Sequence, residues 1–291
     1  MVDFRADSVA LLRACMHHGT LNLRICVSSG KGDLRSDILA LRQLASISNS
    51  PVGTSQSWRI VLGHVNGSAS IQNFLESLKL VTKRNLAQSI DMTPESSEAL
   101  GVGSWEAVAE SGLELNLLWP GGSPESLREL LVRTNPRSVW CPSSLSSAEC
   151  SVLAHSRSIA VFCPATEFRE ERSGNSVRCL IDSGAAVALS SGYDATDAPT
   201  FSMQTALSLA VVRLGLSTEE AISSATINAA HAMGTSQSVG SIECGKLADL
   251  LVLNVPDYRE LPRRFGINNV VMGIREGNLV YNRTRWKVSA H

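Results

Sequence analysis

Two residues stand where side-chain chemistry could occur. Cys141 ends a short apolar run, Ser138-Val-Trp-Cys-Pro142, and Asp194 lies in the turn-forming segment Gly192-Tyr-Asp-Ala-Thr-Asp197. A strand-end thiol becomes a nucleophile when a base lies beside it. A carboxylate in a dry pocket becomes a general base when burial raises its pKa. The structural alternatives are a buried inert thiol and a turn carboxylate. Lys31, in Ser29-Gly-Lys-Gly32, offers an ammonium for a substrate carboxylate, or an amine nucleophile if desolvated, against the alternative of a solvated loop lysine. Gly30-Lys-Gly-Asp33 lacks the spacing and the Ser or Thr of a phosphate loop.

These residues need strands and helices to position them. Apolar, β-branched runs predict strands at about Leu21–Ser28, Trp58–Gly63, Ser89–Met92, Leu113–Trp119, Arg137–Cys141, Ile159–Pro164 and Ala185–Ser190. Several are apolar on both faces, as parallel strands buried on both sides are. Helical patterns fall between them at Ser36–Ser48, Ala69–Arg84, Glu98–Ser111, Pro124–Thr134, Ser146–His155 and Ser176–Ser183. The alternation predicts right-handed βαβ units and a parallel sheet. Two consecutive helices follow, Thr205–Leu214 and Ser217–Met233, the second opened by the capping box Ser217-x-x-Glu220 and closed by Gly234. Three short strands near Leu250–Leu253, Asn269–Ile274 and Asn278–Tyr281 complete a small β appendage.

At 291 residues and 44% hydrophobic content, the chain can bury one barrel-sized core with a small satellite. The division expected is a barrel over residues 1–238 and a β element over 239–291. A net charge of −1, with Lys and Arg scattered singly, gives no footprint for nucleic acid or an anionic membrane. No run of 18 apolar residues occurs and the start lacks a secretory leader pattern, so a cytoplasmic protein is expected. The seven cysteines are odd in number, widely spaced and without a Cys-x-x-Cys pair, which reads as reduced thiols.

The stretch Val239-Gly-Ser-Ile-Glu-Cys-Gly-Lys-Leu-Ala-Asp-Leu250 resembles the C-terminal element of metal-dependent amidohydrolases. From about residue 16 to 283 the chain resembles imidazolonepropionase, which opens the imidazolone ring in histidine degradation. The resemblance is carried by Ala185-Ala-Val-Ala-Leu-Ser-Ser, Pro199-Thr-Phe-Ser-Met203, Leu216-Ser-Thr-Glu-Glu-Ala-Ile, Ala225-Thr-Ile-Asn-Ala-Ala230 and Asp257-Tyr-Arg-Glu-Leu-Pro262. It implies an α/β fold, an incomplete TIM-like (β/α) barrel holding strands 2–8 of the amidohydrolase barrel, with a partial C-terminal β-sandwich. It also implies Ser29, Gly30, Lys31, His64 and Tyr193 as substrate contacts. His64 stands one position early in Leu62-Gly-His64, and strand residues alternate faces.

The family's chemistry needs a divalent zinc or iron, which lowers the pKa of a bound water so that hydroxide attacks a ring carbonyl. The positions that resemble its ligands differ here. The family's first-strand His-x-His has no counterpart, and His17-His18 is adjacent and on a predicted helix. The fifth-strand His-x-x-Glu reads Leu118-Trp119-Pro120-Gly121, the sixth-strand His is Cys141, and the eighth-strand ligand Asp is Gly192, with a substrate-contacting Asn replaced by Asp194. His231 falls where family members tolerate varied residues. No metal site is therefore expected. One expectation is an imidazolonepropionase-like protein without metal-dependent hydrolysis. The alternatives are a metal-free enzyme on a small cyclic amide, with Lys31, His64, Cys141 and Asp194 as candidates, or a pseudoenzyme binding a ligand or an active paralogue. A barrel without its first strand has open edges. A truncated product of a longer gene, a distorted seven-strand barrel, or a second copy or partner chain at the edge would each account for it.

Overall fold

A computed structural model describes residues 4–27, 38–44, 58–62, 71–101, 103–171, 175–194 and 200–283. The chain forms two compact units. The first holds Met1–Val9, Asn22–Pro142 and His155–Ser158; the second holds Ala10–Leu21, Ser143–Ala154 and Ile159–His291.

In the first unit five strands, β1 (Leu23–Val27), β2 (Trp58–Leu62), β3 (Ser89–Met92), β4 (Glu114–Leu118) and β5 (Ser138–Trp140), lie side by side in chain order. The strands pair in parallel: Ile25 opposes Ile60, Leu62 opposes Ile90, Asp91 opposes Asn116 and Asn116 opposes Ser138. Ile90, Leu117 and Val139 alternate with these polar residues and are fully buried, so they form the apolar face that the helices cover. The helices are residues 38–44 (α2), α3 (Ile71–Lys83), α4 (Pro94–Leu100), α5 (Ser104–Ser111) and α6 (Pro124–Thr134); α1 (Phe4–His17) runs from one unit into the other.

Local chemistry fixes the boundaries. Thr93 and Ser123 cap α4 and α6, each hydroxyl accepting from a backbone N–H three residues on, and a proline follows each cap. Asn135 closes α6 in the left-handed region at φ 42°. The single helix expected over Glu98–Ser111 is instead two, α4 and α5, because Gly101 and Gly103 both take positive φ and interrupt the hydrogen-bond ladder.

In the second unit, β6 (Ile159–Phe162) and β7 (Val187–Leu189) pair in parallel, with Ala160 opposite Val187. Around them lie α7 (Ser147–Ala154), α8 (Pro164–Arg169), α9 (Ser176–Asp182), α10 (Met203–Arg213), α11 (Thr218–Ala225) and α12 (Ile227–Ala232). The predicted capping box is present: Ser217 Oγ accepts from Glu220 N at 3.1 Å and Glu220 Oε2 accepts from Ser217 N at 2.8 Å. The helix it opens breaks at Thr226 (φ −120°, ψ −92°), so one expected helix is two. A small antiparallel sheet, in the order β10 (Asn278–Asn282), β9 (Val270–Arg275), β8 (Leu250–Leu253), forms the expected C-terminal element.

Candidate functional site

Cys141 follows β5 and is buried, 8% exposed, with its Sγ donating to Val139 O at 3.4 Å. Asp194 belongs to the second unit and is exposed just beyond β7, so it does not sit in a dry pocket. Tyr193 is 38% exposed and packs on the Phe201 ring at 5.9 Å. Ser29, Gly30, Lys31 and His64 lie outside the described residues.

Of the strand ends where the resemblance implies metal ligands, one holds the Cys141 thiol and the others are apolar or carry no side chain. Leu118 is half-buried at the end of β4, and Gly121 has φ 99°. Gly192 has φ 59°, and a Cβ there would meet Cys163 Sγ at 2.8 Å. His17 stacks on Tyr281 at 4.5 Å, and His18 pairs through Nδ1 with Ala14 O at 3.1 Å while its ring meets Phe201 edge-on. Burial, assisted by the nearby His18 and Arg13, holds His17 below the ordinary histidine pKa. His231 is exposed on α12. Among the described residues no group of three or more His, Cys, Asp or Glu side chains is arranged to hold a metal ion. This donor set does not fit the divalent metal that the fold family implies.

The first unit does bring together a polar cluster on the sheet face opposite its apolar side. Asp91, Asn116 and Ser138 share one register row and are each 2% exposed. Asn116 Nδ2 donates to Asp91 Oδ1 at 3.0 Å, and Ser138 Oγ donates to Asn116 Oδ1 at 2.8 Å. Arg24, reaching from β1, forms an ion pair with Asp91 and lays its guanidinium over the Trp140 ring at 4.5 Å. Cys26, exposed on β1, directs its Sγ to Asp91 Oδ2 at 3.5 Å. Among the described residues, Arg24 Nε and Trp140 Nε1 are buried and meet no acceptor. Buried polar groups are almost always paired, so two orphan donors on stacked partners mark a place where an acceptor oxygen would be stabilised.

Sequence reasoning did not name this cluster. Its signal was present in single polar residues inside otherwise apolar strands: Asp91 in Ser-Ile-Asp-Met, Asn116 in Glu-Leu-Asn-Leu-Leu, and Arg24 in Leu-Arg-Ile-Cys-Val.

Comparison with known proteins places this geometry in context. Residues 106–280, more than half of the chain, match the amidohydrolase family. The imidazolonepropionase of Geobacillus kaustophilus is 40% identical over 124 residues, covering 43% of this chain and 29% of that protein. The imidazolonepropionase of Porphyromonas gingivalis is 33% identical over 222 residues, covering 71% of this chain and 49% of that protein. The chain thus spans half or less of the length of these curated relatives. A triazine hydrolase variant has a similar fold, with TM-score 0.70 at 13% identity over 96% of this chain and 71% of that one. The parallel sheet, its covering helices and the small antiparallel sheet agree with the expected incomplete barrel and C-terminal β element. This chain is an imidazolonepropionase-like member of the amidohydrolase family.

Proposed function

We propose that this chain binds a small cyclic amide or imidazolone-like ligand of histidine degradation in the cytoplasm and does not hydrolyse it by the metal-dependent route. The observation that carries this reading is the set Leu118, Gly121, Cys141 and Gly192, none of which forms part of a group able to hold a divalent ion among the described residues. The resemblance to imidazolonepropionases supports the ligand class. The test is to incubate the purified chain with imidazolone propionate, with and without added zinc or iron, and to follow both binding and ring opening. Saturable binding without turnover is expected. Metal-stimulated ring opening would refute the proposal.

A metal-free reaction is the second reading, and the cluster around Arg24 favours it. Cys26 offers an exposed thiol beside the Asp91 carboxylate, and the two orphan donors would donate to a ring carbonyl oxygen. This moves the candidate chemistry away from Cys141 and Asp194. Metal-independent turnover that disappears in Cys26→Ala and persists in both Cys141→Ala and Asp194→Asn would establish it; turnover insensitive to Cys26→Ala would refute it. At the end of the strand order, β1 is paired with β2. A second copy or an active paralogue docking along its edge belongs to the same proposal, and sedimentation of the purified chain alone and with that paralogue tests it.

A further inference from the structure

We infer that Cys150 and Cys179 form a reversible dithiol–disulfide pair that ties helix α7 to helix α9. The two helices pack together, and Cys150 faces α9 from a position with no solvent exposure. Its Sγ lies 3.7 Å from Ser176 O. On a helix, a side chain leans back over the carbonyls three and four residues before it. Cys179, three residues after Ser176, therefore brings its thiol to the same spot. Burial first, and then the nearby Cys179 thiol, push the Cys150 thiol up to about 12. All seven cysteines are reduced in the structure, so this pair is held close and unbonded.

The chemistry sets the order of events. Cys179 is half-buried and Cys150 fully buried, so an oxidant as small as hydrogen peroxide reaches Cys179 first. The Cys179 sulfur takes one peroxide oxygen to give a sulfenic acid and water. The Cys150 sulfur then attacks that sulfur, the S–S bond forms, the hydroxyl leaves with the Cys150 proton as a second water, and two electrons have passed to the peroxide. Because Cys150 is held protonated, the second step is slow at neutral pH and accelerates in base. The link has a structural readout: α9 leads into the start of β7, so cross-linking fixes the helix that precedes this strand to α7.

The test is to treat the folded chain with hydrogen peroxide at pH 7 and pH 9 and map unreduced peptides by mass spectrometry. The expected product is a peptide pair joining Cys150 to Cys179, two hydrogens lighter than the sum, formed faster at pH 9 and reversed by dithiothreitol. The melting temperature should rise by roughly 5 °C on oxidation, and Cys179→Ser, whose fold is checked by circular dichroism, should abolish that rise. Recovery of Cys179 only as a sulfinic or sulfonic acid, or linkage of either residue chiefly to other cysteines, would overturn the inference. An unchanged melting temperature in the linked wild type would overturn the structural consequence.

Discussion

Arg24→Met is the substitution that most directly probes the polar cluster on the first unit's sheet. Arg24 is 16% exposed at its side chain and Asp91 3%, so both charges are largely out of water and each depends on the other. Removing the guanidinium leaves Asp91 with the Asn116 amide at 3.0 Å and the Cys26 thiol at 3.5 Å as neutral donors. Breaking a buried ion pair from one side costs about 3–5 kcal/mol. The residual exposure of Arg24 and the surviving Asn116 hydrogen bond place this case near the lower bound, about 3 kcal/mol, with loss of the Trp140 stack adding about 0.5–1 kcal/mol. Methionine retains much of the volume of the arginine stem, so cavity formation contributes little. Asp91→Asn in the Arg24→Met background removes the stranded charge, and the double variant should recover at least about half of the loss. Urea unfolding at pH 7, followed by circular dichroism for wild type, both single variants and the double variant, measures the coupling. A cost below about 1 kcal/mol for Arg24→Met, the range of an exposed pair, would refute the argument. So would a double variant as unstable as the single one.

Three other outcomes follow from the second unit. Placing by Gly192→Asp the carboxylate that the resemblance implies at this position is blocked by Cys163, whose Sγ would lie 2.8 Å from the new Cβ; thermal melts should show destabilisation by about 1–3 kcal/mol, relieved by adding Cys163→Ala. Glu220→Gln should cost about 1 kcal/mol, because Glu220 accepts from Arg178 at 2.7 and 3.0 Å as well as from the α11 cap. Its pKa is held low, first by Arg178 and then by the Ser217 backbone. The wild-type advantage is therefore full above the ordinary glutamate range and is lost as pH falls through the depressed value; melts from pH 7 to pH 3 check the sign. For His17, burial favours the neutral ring. Its contribution is whole above the ordinary histidine range and is lost as pH falls below it, so His17→Phe, which keeps a ring against Tyr281, should flatten the stability profile between pH 7 and 5.

Much of the architecture was legible because it rests on local signals. The apolar runs match the seven parallel strands among the described residues to within a few positions, and Pro124–Thr134 is right at both ends because Ser123, Pro124 and Asn135 specify them. Errors came where one residue overrides periodicity. Pro164 reads in the sequence as the end of a strand, yet it opens α8, since its fixed φ suits a first helical turn. Thr226 breaks a pattern that still reads as one amphipathic helix. The candidate site was less legible. Cys141 and Asp194 were chosen for their positions at strand ends, while the Arg24–Asp91–Asn116–Ser138 cluster depends on register between strands, which a single sequence does not display.

The central proposal is that this amidohydrolase-family chain, whose described residues hold no group able to bind a divalent ion, does not retain one, and metal content tests it most directly. The protein should be purified without chelator, incubated with zinc, iron or manganese, freed of loose ions by gel filtration, and analysed by inductively coupled plasma mass spectrometry. The account predicts no stoichiometric retention of any of the three. One equivalent of metal per chain, released by chelator together with a fall in melting temperature, would contradict it.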